Sequence, residues 1–195
     1  MANHQAIYSV CQSLADYLNQ AHAAFVEQNA GETAASFEVV GSADFASEKV
    51  IGDNTVLVYL HRVTINNHLR NTRPRGELAP LGLDLHLLLS FWGASPEKEH
   101  KLLAWTLRQL HFHAFLDASS LIPAGWTGDE QITLFPGELT AEELARIWDV
   151  ARRPQRLAFP YVARIVRLGF DPTPDAAPVL LRRLSHTDDL QETQP

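Results

Sequence analysis

Apolar residues at Ile7, Val10, Cys11, Leu14, Leu18, Ala21 and Phe25 recur at helical spacing. They draw one stripe and predict a helix from about His4 to Glu27, ended by Asn29-Ala30-Gly31. "SFEVVGS" is a short strand candidate, followed by a polar loop with Gly41, Gly52, Asp53 and Asn54. "TVLVYLHRVTI" is rich in β-branched and aromatic residues and begins apolar on both faces, as a central strand does. Past the loop "NTRPRGELAP", Leu81, Leu83, Leu85, Leu87 and Leu89 alternate with Gly82, Asp84, His86, Leu88 and Ser90. That period of two predicts a strand with one greasy face.

Ser95-Pro96-Glu97 reads as a helix start: a capping serine, a proline in the first turn and an acid at the positive helix end. Leu103, Leu107, Leu110 and Ala114 carry its apolar stripe. "DEQITLFPG" predicts a short strand or extended edge. Thr140 and Glu143 form a capping box ahead of a short helix lined by Leu144, Ile147, Trp148 and Ala151. "RLAFPYVARIVRLGF" is the last strand, and Pro160 within it favours an edge position or a bulge. After Asp171 the chain turns proline-rich, "DPTPDAAP", and "VLLRRLSHTDDLQETQP" follows with at most a turn or two of amphipathic helix. The order of elements predicts an α+β domain over 1–170, a mixed and mainly antiparallel sheet flanked by helices, with a proline-rich extension over 171–195.

The net charge of −7 disfavours nucleic acid as a partner, because such proteins usually show a basic footprint. One cysteine, Cys11, rules out an intrachain disulfide and suits a reducing compartment. The first residues carry no basic segment followed by an apolar core, so no secretory signal is expected. The most apolar stretch, Leu81 to Trp92, contains Asp84 and His86 and is too short to span a bilayer.

Nine histidines raise the question of a metal site. His111 and His113 form an H-x-H near a predicted helix end, where their side chains diverge and where the dipole favours histidine for its own sake. His61 and His68 lie seven apart, there is no H-E-x-x-H, and no second cysteine completes a thiolate set. No nucleophile elbow or glycine-rich phosphate loop occurs, and Cys11 falls on the apolar stripe of the first helix. No cofactor is expected. Asp84, inside a leucine-rich strand, either belongs to the polar face of a sheet or is a costly buried carboxylate that needs a partner. Arg62 on a neighbouring strand is the natural candidate. Arg62, Arg70, Arg73 and Arg75 lie within fourteen residues of one another, interleaved with Asn66 and Asn71. They are either solvated loop or a docking patch for carboxylates.

Several stretches, in order, resemble the N-terminal domain of the tube-terminating cap proteins of contractile injection systems, the phage-tail-like particles that include the antifeeding prophage and the Photorhabdus virulence cassette. They are Arg62, Val63, Asn66, Leu69, Arg70 and Asn71; Pro80, Leu81, Leu83, Asp84 and Leu85; Leu102, Leu103, Leu107, Leu110 and His111; Leu139, Thr140, Glu142, Glu143, Leu144 and Trp148; and Tyr161. The series covers residues 1 to about 170. His61 and Leu87 stand where that family favours an aromatic, and Pro160 precedes the strand tyrosine. The resemblance implies a tail-terminator-like fold and a hexameric ring that ends the inner tube and anchors the last sheath ring. It implies tube and sheath proteins as partners, no catalysis, no membrane, and cytoplasmic assembly into a particle that can be released. Arg62, Asn66, Arg70, Asn71, Arg73 and Arg75 are the expected interface, with Asp84 a structural polar residue. The competing reading is a small hydrolase, metal-dependent or histidine-based, using His61, His68, His111, His113 or Asp84.

Overall fold

The computed structural model describes residues 2–47, 51–66, 80–126, 128 and 130–169. His68, Arg70, Asn71, Arg73, Arg75 and the extension over 171–195 lie outside the described residues.

Helix α1 (Ala6–Gln28) forms on the expected stripe and buries Val10, Leu14 and Leu18. It is followed by β1 (Ser36–Val40), the single turn α2 (Ser42–Phe45), β2 (Thr55–Ile65) and β3 (Leu81–Trp92). Next come α3 (Pro96–Phe112), the two-residue β4 (Phe115–Leu116), a 3-10 turn at Pro123–Gly125, β5 (Ile132–Pro136), α4 (Ala141–Ala151) and β6 (Ala158–Leu168). The strands make one sheet in the order β1-β2-β3-β6-β5-β4. β1 and β2 run parallel and every other pair is antiparallel. This is the expected α+β class.

The sheet has two unequal covers. On one face Leu83, Leu85, Leu87, Leu89 and Phe91 of β3 pack with α1 and with Leu102 and Leu110 of α3, forming the main core. On the other, Phe45 of α2 and Leu57 of β2 meet Trp148 and Ala151 of α4 in a small second core. Each fully buried side chain of this size contributes about 1.5–3 kcal/mol, so the first face carries most of the stability. The caps are as the sequence predicts. Ser95 Oγ accepts from Lys98 N–H at 3.4 Å. Thr140 Oγ1 accepts from Glu143 N–H at 3.2 Å while Glu143 Oε2 accepts from Thr140 N–H at 2.9 Å.

Three expectations need correction. β3 does not expose one face: Asp84, Leu88 and Ser90 are buried as well, because β3 lies mid-sheet between β2 and β6. The buried face of α3 is Leu102, Thr106 and Leu110, with Leu103 and Leu107 only partly covered and Ala114 beyond the helix. β6 is an interior strand despite Pro160. Backbone N–H and C=O of one strand residue point to the same side. The Pro160 carbonyl accepts from Gly137 N–H at 2.8 Å, just past the end of β5. The donor that proline lacks would thus face Gly137 at the end of the β5 pairing, and the ladder to β3 loses nothing.

Candidate assembly interface

Two bulges decide what the second face displays. Leu60 pairs with Leu87 and Arg62 with His86, so His61 is an extra residue in β2. Leu83 pairs with Val166 and Asp84 with Arg164, so Ile165 is an extra residue in β6. An inserted residue reverses the alternation beyond it. Continued from Val58 and Leu60, simple alternation would drive Arg62 and Thr64 into the main core. The bulge places them opposite His86 and Asp84 instead. The second bulge does the same for Arg164, whose even-numbered neighbour Val166 is in the main core. Arg62, Thr64, Asp84, His86 and Arg164 therefore gather on one face, beside the N-terminus of α4.

Asp84 is the anchor of this group. Asn66 Nδ2 donates to both of its oxygens, at 3.1 and 3.2 Å. Arg164 donates to Oδ2 from Nε at 3.1 Å and from Nη2 at 3.0 Å. The Asp84 side chain is 8% exposed and that of Arg164 50%, so a buried carboxylate fixes a half-exposed guanidinium. The expected Arg62–Asp84 pair is not made. The register sets Thr64 opposite Asp84 and Arg62 opposite His86, one pair further along. Asn66, expected in the contact patch, is buried and directs its amide to Asp84.

Arg62 lies 47% exposed. Its Nη2 is 3.4 Å from His86 Nδ1, and its Nη1 reaches Glu143 Oε1 only at 3.9 Å. Arginine can only donate, so His86 Nδ1 accepts and the ring proton sits on Nε2, 2.9 Å from Thr64 Oγ1. Burial, and then the Arg62 charge, hold the His86 pKa below the usual imidazole value; Asp84 opposes them. His61, whose ring centroid lies 6.1 Å from that of His86, is held down to about 4 by burial and then by His86 and Arg62, against the pull of Glu143. Both rings are neutral near pH 7, and the patch's positive charge comes from its two arginines.

Toward β5 the face turns aromatic. Phe115 and Phe135 are both exposed large side chains, and the Arg164 guanidinium lies 6.0 Å from the Phe135 ring centre. Arginine and aromatic residues together are the composition enriched in protein contacts. Sequence reading missed His86 and Arg164 as members of the group. The signal available was the shared phase of Asp84 and His86 in "LDLHL" and an arginine inside the apolar strand "VARIVRL".

Of the described residues in the hydrolase reading, His61 and Asp84 lie by the arginine patch on β2 and β3, and His111 and His113 lie at the far end of α3. His111 ends α3, and His113 caps it and packs edge-on against Tyr17 at 5.6 Å. Burial pushes the Cys11 thiol up to about 12, far from a thiolate at neutral pH. Among the described residues no three histidine, cysteine or carboxylate side chains are grouped to hold a metal ion, and no helix is long and apolar enough to cross a membrane.

The family model described as the Pvc16 N-terminal domain matches residues 9–182. No curated protein is significantly similar to the chain. Among solved structures, the chain is similar to the sheath/tube terminator of an extracellular contractile injection system, PVC, in its extended state. The TM-score is 0.54 at 18% identity, covering 97% of this chain and 66% of that one. It also matches the tube-terminating cap of the anti-feeding prophage, with a TM-score of 0.42 at 17% identity, over 67% of this chain and 48% of that one. This chain thus spans just under two thirds of the first relative's length. What the first likeness shows is the fold, that of a tube terminator.

Proposed function

The chain belongs to the Pvc16 N-terminal domain family, and from that premise we propose that it is the structural cap of a contractile injection system. In this reading it forms a ring, six-fold like the particle it closes, that ends the inner tube and anchors the terminal sheath ring. The observation that carries the proposal is the family match over 9–182, supported by the terminator-like arrangement of the whole described chain. The physical logic is polymer arrest. A tube grows by repeated addition along one axis, and a ring complementary to the tube end on one face only leaves no surface for the next subunit. Such a task requires contact surfaces and no reaction centre, so the chain acts as a non-enzyme. Its partners are further copies of itself, tube protein and sheath protein. Assembly takes place in the cytoplasm, within a particle that can leave the cell.

The half-exposed Arg62 and Arg164 and the nearby aromatics supply one contact face. The arginines that follow, Arg70, Arg73 and Arg75 with Asn71, extend it, and the extension over 171–195 reaches a neighbouring subunit or the sheath. Guanidinium groups suit such contacts because they bind carboxylates in bidentate fashion and are weakly hydrated. The test is tube length. Tube protein polymerised with the chain present should give shorter tubes with a ring of density at one end. Unchanged lengths, with the chain absent from tube ends, would overturn the proposal.

A further inference from the structure

Among the described residues the sheet closes its outer edges by different devices and leaves the second half of β2 open on one side. At the β1 edge, Asn19 of α1 accepts from Phe37 N–H and donates to Phe37 C=O, both at 2.9 Å. That side chain occupies the backbone groups an incoming strand would need. At the far edge β4 is only two residues long. Between them, β1 pairs with β2 from Thr55 to Tyr59, yet β2 continues to Ile65. His61–Ile65 has β3 on one side and, among the described residues, no strand on the other.

The phase of this open edge is fixed. Asn66 N–H donates to Gly82 C=O at 2.9 Å, so Asn66, Thr64 and Arg62 turn their backbone groups toward β3. Val63 and Ile65 turn theirs outward. Their side chains, 42% and 49% exposed, lie on the main-core face past the end of its cover, while Arg62 and Thr64 project from the other face.

We propose that this stretch is a strand-addition site. An extended segment of a different protein chain pairs beside Val63 and Ile65, sets apolar side chains against those two, and places a carboxylate on Arg62. Outward N–H and C=O groups two residues apart match an extended backbone and neither a helix nor a small molecule. The residues of an added strand alternate between faces, so one set meets Val63 and Ile65 and the other meets Arg62 and Thr64. Arg62 has donors to offer, since Glu143 is 3.9 Å away. The chain's own tail fits poorly by charge: its apolar run, Val179 to Leu184, carries Arg182 and Arg183 and no acid. Two copies paired edge to edge would bring their Arg62 side chains onto one face, where like charges repel. The inference rests on the cap reading and names the chemistry of the segment through which the cap would join its neighbour.

The experiment is amide hydrogen exchange on the full chain, free and mixed separately with purified sheath protein and purified tube protein of the same particle. The Val63 and Ile65 amides should exchange rapidly in the free chain and slow by about tenfold or more with one of those partners. Val63→Pro removes an outward donor without touching the ladder to β3 and should abolish the protection. Because proline also fixes φ, Ile65→Lys, which charges the edge and leaves the backbone free, is the companion variant and should weaken binding, as should Arg62→Glu. Fast exchange at both amides in particles that carry the chain at the tube end would overturn the inference and leave the cap reading intact. Protection in the free chain that vanishes on deleting residues 171–195 would assign the edge to the tail and overturn it. Protection that rises with concentration of the chain alone would assign it to a second copy and overturn it too. A chain missing from purified particles would overturn the cap reading itself, and this inference with it.

Discussion

At Asp84 a buried carboxylate meets the Asn66 amide and the Arg164 guanidinium, whereas among the described residues Arg62, one pair away, meets His86 and a distant Glu143. The two sites should respond differently to truncation. Asp84→Ala removes the buried acceptor that receives both the Asn66 amide and the Arg164 guanidinium and should cost about 2 kcal/mol in urea unfolding. Arg62→Ala, at a half-exposed position, should change stability by about 0.5 kcal/mol or less. Equal losses at the two positions would mean that Arg62 belongs to the fold rather than to a contact surface. His61 offers a pH test. Its pKa is about 4 in the folded chain and about 6.5 when unfolded. Between those values the unfolded chain binds the additional proton, so this group's contribution to stability is full above about 6.5 and is lost as pH falls toward 4. His61→Gln should therefore lose less stability than the parent between pH 7 and pH 5, measured by urea unfolding at each pH. Identical losses would show that His61 is not the group responsible.

Among elements, α4 is held through a small second core of four buried side chains, of which Trp148 and Ala151 are its own. Thr140→Ala removes one half of its capping box and should cost about 1 kcal/mol. Trp148→Ala empties the centre of that core and should cost about 3 kcal/mol or more. Both are read from urea midpoints, and a Thr140→Ala loss as large as that of Trp148→Ala would mean that the cap, not the packing, holds the helix. The sequence showed α4 clearly because Thr140 and Glu143 announce its start and Leu144, Ile147, Trp148 and Ala151 keep strict helical spacing. It showed β2 and β3 just as clearly through β-branched residues and leucine alternation. What it did not show was phase. The residues inserted at His61 and Ile165 reverse which face Arg62 and Arg164 occupy, and neither is marked by glycine or proline. Hence Asp84 was recognised as needing a partner while Arg62 was expected where Arg164 stands. Pro160 misled in the opposite sense. A proline argues for an edge because its missing donor breaks a ladder, and here the loss falls at the last contact with β5, beside Gly137, while the ladder to β3 is untouched.

For the molecule as a whole, an acidic chain presents two arginines on an exposed sheet face, a row of aromatics beside them and an open strand edge. These features adjoin, with Arg62 shared between the sheet face and the strand edge; a closed ring repeats one heterologous contact, for which each subunit offers this surface and a different one. Stable contacts bury roughly 800 Å² per partner, and a neighbour supplied by the tube end lowers the demand on each subunit–subunit contact by holding the copies in place. The chain mixed with tube protein should accordingly appear, by native mass spectrometry or light scattering, as rings of six times its 21.8 kDa mass, whether or not it is monomeric alone. Monomer persisting with tube ends present would overturn the ring. Guanidinium–carboxylate contacts at a partly solvated surface weaken as the screening length falls from about 10 Å at 0.1 M salt to about 3 Å at 1 M. Ring attachment should therefore loosen across that range in the parent chain. It should loosen much less in an Arg62→Gln, Arg164→Gln double variant, whose attachment would already be weaker at low salt. A parent ring indifferent to salt would shift the weight of the contact from the arginines to the aromatic side chains and the strand edge.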